Sequence, residues 1–94
     1  MNASVNKAVS EKNYKMNFIP YPNFNEIEFT CRCGCNLTNM DPLFLTRLQN
    51  IRDIYNKPMQ ITSGYRCSAH NNKISKTGLN GPHTTGKACD VSMA

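Results

Sequence analysis

The stretch NMDPLFLTRLQNIRDIYNKP, residues 39–58, constrains the fold more than any other part of the chain. Asp41 can cap a helix through its carboxylate, and Pro42 suits the first helical position, where its missing N–H costs nothing. Leu45, Leu48, Ile51 and Tyr55 then recur at helical spacing between polar residues, which predicts one amphipathic helix over 42–55, ending near Asn56 before Pro58. A chain of 94 residues has room for one such helix and a little sheet around it. The apolar content is low, 39%, and no apolar run approaches a membrane span, so no membrane insertion is expected.

The flanking segments predict short elements of alternating type. Residues 1–17, rich in Asn, Lys and Ser, have no periodicity and read as a loosely ordered lead; residues 18–94 form the domain. The lead contains no continuous apolar run, so no signal peptide is expected there and synthesis in the cytoplasm is. FIPYPNFNEIEF breaks twice at proline and then alternates at Ile27, Glu28 and Phe29, which predicts a short edge element. Tyr14, Phe18, Tyr21 and Phe24 are expected to pack on the helix; no nucleic-acid motif accompanies them. MQITSGY predicts a strand that breaks at Ser63 and Gly64, where glycine permits a sharp turn. SAHNNKISK allows one or two helical turns, TGLNGPH is loop, and GKACDVSM alternates so that Ala88, Asp90 and Ser92 share one strand face and Lys87, Cys89 and Val91 the other. The class is α+β, a small antiparallel sheet packed on one main helix.

Two sets of residues can do chemistry. In HTTGKACD, residues 83–90, Gly86 lets the backbone turn and Ala88 leaves room, so the His83 imidazole and the Asp90 carboxylate can converge on one point. Zinc accepts both donors at about 2.0 to 2.2 Å, although a catalytic site commonly takes three protein ligands and a water. The second set is the five cysteines, 31, 33, 35, 67 and 89. Alternate thiols on an extended strand lie nearly 7 Å apart, too far for one tetrahedral centre. Gly34 can fold the CRCGC run, and then three readings stand: a structural zinc site with Cys67 as fourth ligand, a disulfide to Cys67, or free, partly buried thiols.

SGYRC at 63–67, HN at 70–71 and HTTGKACD at 83–90, preceded by FTCRCGC and the helix, resemble the zinc D-Ala-D-Ala carboxypeptidases and related phage peptidoglycan endopeptidases, which share a fold with the hedgehog signalling domain. The resemblance covers roughly residues 18–92, with the pieces in family order. It implies that His83 and Asp90 are Zn2+ ligands, that Arg66 is the catalytic and substrate-binding cation for a carboxylate or developing oxyanion, and that Ser63 helps shape the substrate loop. His70 falls at a position that is not a ligand in the family, and a loop-positioning hydrogen bond is expected of it. The implied function is hydrolysis of peptidoglycan stem peptides at or near D-alanine bonds by a monomer acting on the bacterial wall. The Asn/Lys/Ile-leaning composition and the lack of an export signal suit a phage lysin, while the net charge of +5, spread along the chain, is read as a solvated basic surface, with weak attraction to a polyanion such as nucleic acid or cell wall as the alternative.

One part of the family pattern has no counterpart. The resemblance places a general acid and a third, histidine ligand on a strand after the aspartate, and here four residues follow Asp90. With two ligands and no proton acceptor, residues 1–94 are expected to be nearly inactive. The expected explanation is a truncated or frame-shifted reading frame lacking the last active-site strand; a second chain, or loss of catalysis, are the others. A wall-binding or structural remnant of the fold and a small cysteine-based zinc interaction module are the competing functions.

Overall fold

The structure is a computed structural model and describes residues 16–93. Most of the expected lead at 1–17, and the packing expected of Tyr14, lie outside the described residues. The order of elements is helix α1 (Glu26–Phe29), helix α2 (Pro42–Tyr55), strand β1 (Met59–Ser63), helix α3 (Ser68–Ile74), 3-10 turns at Gly78–Asn80 and Pro82–Thr85, and strand β2 (Asp90–Met93).

The central helix forms where its sequence predicts. Asp41 accepts a hydrogen bond from Phe44 N at 2.9 Å, Pro42 begins the helix, and Asn56 ends it in the left-handed region at φ 55°. Its buried face differs from the expected one. Leu45, Leu48 and Gln49 are buried and Tyr55 is half-buried, but Ile51 is 53% exposed. At 100° per residue the stripe defined by Leu45 and Leu48 continues through Arg52 and Tyr55, and Ile51 falls outside it. Gln49 donates from Nε2 to Asn23 Oδ1 (2.6 Å) and Asp53 Oδ1 (2.8 Å) and accepts from Asn23 N (3.2 Å), so a buried amide ties the aromatic N-terminal segment to α2.

The expected edge element at 27–29 is instead α1. Glu28 reaches back to accept from Asn25 N at 3.0 Å, closing one turn. Ile27 is left 75% exposed while Phe29 is fully buried. Phe29 centres the core, with the rings of Phe18 and Phe24 at 5.6 and 5.8 Å. Tyr21, Phe24, Leu45, Leu48, Ile61 and Tyr65 join it, and Val91 packs from the side, so α2 and the sheet share one apolar cluster. The aromatic residues at 18, 21 and 24 pack as expected.

The sheet has two antiparallel strands with Met59 opposite Met93, Ile61 opposite Val91 and Ser63 opposite Asp90. An irregularity between Ile61 and Ser63 shifts the register. β2 begins only at Asp90, later than the alternation from Lys87 suggests, yet its faces are as expected: Cys89 and Val91 pack toward the core and Asp90 is exposed. Gly64 does not make the sharp turn expected of it. Its backbone lies so close to Phe29 that a Cβ would stand 2.5 Å from the Phe29 Cα, and beside this contact Tyr65 N donates to Phe29 O at 2.9 Å. No helix among the described residues is long and apolar enough to cross a membrane.

Candidate active site and thiol cluster

His83 sits in the 3-10 turn Pro82–Thr85, which Gly86 closes at φ 75°. That conformation suits glycine, and a side chain there would also run into the Asn39 carbonyl. Gly86 O accepts from Asp41 N at 2.9 Å, so the turn is docked on the first residues of α2. The imidazole is held in one orientation, because its Nδ1 lies 2.8 Å from Gly64 O. A carbonyl oxygen only accepts, so Nδ1 carries the proton and the Nε2 lone pair is left for another partner. Nε2 stands 3.7 Å from Asp90 Oδ2, where β2 begins. The sequence expectation that these two groups converge across a glycine bend is met in the geometry.

Arg66 completes the group. Its N–H donates to His83 O at 3.2 Å, and its Nη2 lies 3.4 Å from Asp90 Oδ2. Nη1 donates to Asn71 Oδ1 at 3.2 Å, whereas the buried Nε has no partner among the described residues. Asn71 is fully buried in α3 and donates from Nδ2 to Thr77 Oγ1 (2.9 Å) and Gly78 O (2.5 Å). It therefore joins the Arg66 guanidinium to the loop that leads to His83. The loop-positioning hydrogen bond expected of His70 is made by Asn71; the half-buried His70 side chain makes none among the described residues. The sequence offered a signal for this in HN at 70–71, where a side-chain amide carries two N–H donors and an acceptor, enough for the three partners Asn71 holds, while a neutral imidazole carries one of each. Ser63 is half-buried at the end of β1, opposite Asp90, and its hydroxyl has no protein partner among the described residues.

A peptidase M15 family model matches residues 22–94. The chain belongs to the peptidase M15 family. No curated protein and no solved structure matches it significantly. M15 peptidases are metal-dependent, and the matched span includes Ser63, Arg66, His83 and Asp90. The donor set fits a metal: two ligands at 2.0 to 2.2 Å on tetrahedral corners stand about 3.3 to 3.6 Å apart, close to the 3.7 Å between Nε2 and Oδ2.

A second group of donors in this M15 domain includes Cys67, the residue next after Arg66. Cys31, Cys33, Cys35 and Cys67 bring their Sγ atoms within 4.8 Å of one another, with Cys31 to Cys33 and Cys33 to Cys67 both at 3.6 Å. The 7 Å spacing expected of an extended strand does not apply, because residues 32–35 form a turn with Gly34 at φ 93°. All five cysteines are free thiols. Burial pushes the Cys31 thiol up, but hydrogen bonds from the Cys33 and Cys67 backbone outweigh it and bring it down to about 7. Hydrogen bonding to the Cys35 side chain is the main influence raising Cys33 to about 12. Cys89 stands apart, packed on the core and raised to about 11 by burial and by the neighbouring Asp90 charge.

Proposed function

We propose that His83, Asp90 and Arg66 belong to the active centre of a zinc peptidase that hydrolyses peptidoglycan stem peptides at or near D-alanine bonds, acting as a monomer on the bacterial wall. The observation that carries this reading is the 3.7 Å approach of His83 Nε2 to Asp90 Oδ2, with Nδ1 committed to Gly64 O. The Nδ1 hydrogen bond fixes the tautomer and ring plane a metal-binding imidazole needs. Asp90 contributes one carboxylate oxygen. When bound, zinc supplies Lewis-acid polarisation of a carbonyl and a more acidic water.

The remaining work falls to Arg66 and Ser63. Arg66 Nη2 lies 3.4 Å from Asp90 Oδ2; were Asp90 to hold a metal, this pairing would be weaker and that prong of the guanidinium would be available to a terminal carboxylate or a developing oxyanion. The buried, unpartnered Nε supports this, since a guanidinium placed for stability alone would have its donors satisfied. The Ser63 hydroxyl, opposite Asp90 and without a protein partner among the described residues, is placed to hydrogen-bond a substrate backbone. Substrate class rests on the likeness of SGYR and HTTGKACD to the wall peptidases. Within residues 1–94 the other histidine is His70, and among the described residues no hydrogen bond or ion pair joins it to His83 or Asp90, so no third protein donor is assigned.

Nuclear magnetic resonance tests the reading. Zinc should shift the His83 ring resonances, and Asp90→Asn should weaken that shift. In the zinc-loaded protein a peptide ending in D-alanyl-D-alanine should perturb Ser63 and Arg66 more than its L-alanyl counterpart. His83 resonances indifferent to zinc, or equal response to the two peptides at sites remote from Arg66, would overturn it.

A further inference from the structure

We propose that Cys31, Cys33, Cys35 and Cys67 form a separate, structural tetrathiolate zinc centre that locks the Arg66 loop in place beside His83 and Asp90. The geometry comes first. Four sulfurs at about 2.3 Å from a tetrahedral zinc stand about 3.8 Å from one another. The observed set, with two contacts at 3.6 Å and every separation within 4.8 Å, brackets that edge. Four protein ligands leave no open position, which is the coordination of a structural and not a catalytic site, and an all-sulfur set selects soft metals. Cys33 and Cys35 are exposed, so a metal has a way in from solvent.

The chain around the cluster shows why a metal is needed there. Residues 32–37 are all exposed and contribute no side chain to the core, so the turn has no apolar anchor. A small domain with a limited core gains from a cross-link at such a place. Without a cation the turn is tied at its ends by Cys31 N to Leu37 O (2.8 Å) and on its flank by Arg32 Nη2 to Thr62 O (3.4 Å). The cluster also holds a backbone hydrogen bond suited to a thiolate, Cys67 N donating to Cys31 Sγ at 3.3 Å. On metal binding each thiol releases its proton to solvent, and that N–H offsets part of the negative charge left on sulfur.

The consequence for the active centre follows from chain connectivity. Cys67 caps α3 and Arg66 immediately precedes it, with the Arg66 N–H on His83 O. A metal on Cys67 therefore fixes one side of Arg66 while the His83 turn fixes the other. The cluster is a positioning device for Arg66 and stands whether or not the peptidase reading of His83 and Asp90 holds.

Cobalt substitution of the full chain tests it. With one equivalent of Co2+ the wild-type protein should show an intense sulfur-to-cobalt charge-transfer band together with tetrahedral ligand-field bands. His83→Ala should keep both, and Cys35→Ser should reduce the charge-transfer intensity by about a quarter, as one of four thiolates is lost. Because a cysteine variant can misfold, the wild-type chain provides the second measurement: native mass spectrometry should find zinc on it and on His83→Ala, and stripping the metal should release residues 32–37 and 66 to faster amide exchange. Absence of the charge-transfer band, its loss in His83→Ala, a disulfide among the four cysteines in the folded protein as purified, or iron in place of zinc would each overturn the proposal.

Discussion

Asn71→Ala should be the most damaging single change at a polar residue in this domain. The side chain is fully buried and makes three hydrogen bonds, to Arg66 Nη1, Thr77 Oγ1 and Gly78 O. Each is worth about 1 kcal/mol net. Thr77 is exposed and recovers water, whereas the Arg66 guanidinium, already carrying a buried unpartnered Nε, does not. The loss is therefore about 2 to 3 kcal/mol. In a domain this size 1 kcal/mol moves the melting temperature by about 4 to 8 °C, so a fall of about 10 to 20 °C is expected by calorimetry or circular dichroism. Thr77→Val removes only the exposed end of the network and should cost no more than about 1 kcal/mol. Asn71→Asp keeps an acceptor for Arg66 but turns the donation to Gly78 O into repulsion, so it should rescue little. An Asn71→Ala melting temperature no lower than that of Thr77→Val would refute the reasoning and return the loop-positioning role to another residue.

Gly86→Ala should destabilise by at least about 2 kcal/mol, because a left-handed alanine costs about 1 to 2 kcal/mol and its Cβ would also press on the Asn39 carbonyl; an unchanged melting temperature would contradict the close approach. Asp41→Ala removes the cap on Phe44 N and should lower the urea midpoint by an amount equivalent to about 1 kcal/mol. Leu45→Ala should cost about 2 to 5 kcal/mol, whereas Ile51→Ser should stay within about 0.5 kcal/mol; equal losses at the two sites in denaturant titration would mean that α2 is rotated from the orientation described.

What could be read from the sequence followed how local each determinant is. The ends of α2 were legible because Asp41, Pro42 and Asn56 act within one turn of the helix, and the face of α2 was legible except at Ile51, where apolar character misled and only the helical angle decides. The bend that brings His83 to Asp90 was legible from Gly86. Ile27, Glu28 and Phe29 suggested a strand because two apolar residues flank an acid, but the same three residues fit a single helical turn once Glu28 reaches back to Asn25 N. Gly64 pointed to a turn and is required instead by contact with a residue far away in sequence, Phe29. Asn71 and Gln49 escaped notice because a buried amide leaves no mark on a hydropathy pattern; its partners come from other segments. The thiols could be counted but not placed, since their separation depends on how the turn at 32–35 folds and on where Cys67 lies relative to it.

The most direct test of the shared His83 and Asp90 site is the anomalous-scattering map of a crystal of the zinc-loaded protein, recorded at the zinc edge. The account predicts a peak about 2.0 to 2.2 Å from both His83 Nε2 and an Asp90 carboxylate oxygen, distinct from any peak among the thiols. Full zinc occupancy at the thiols with no density between His83 and Asp90, at a zinc concentration well above that needed to load the protein, would contradict it.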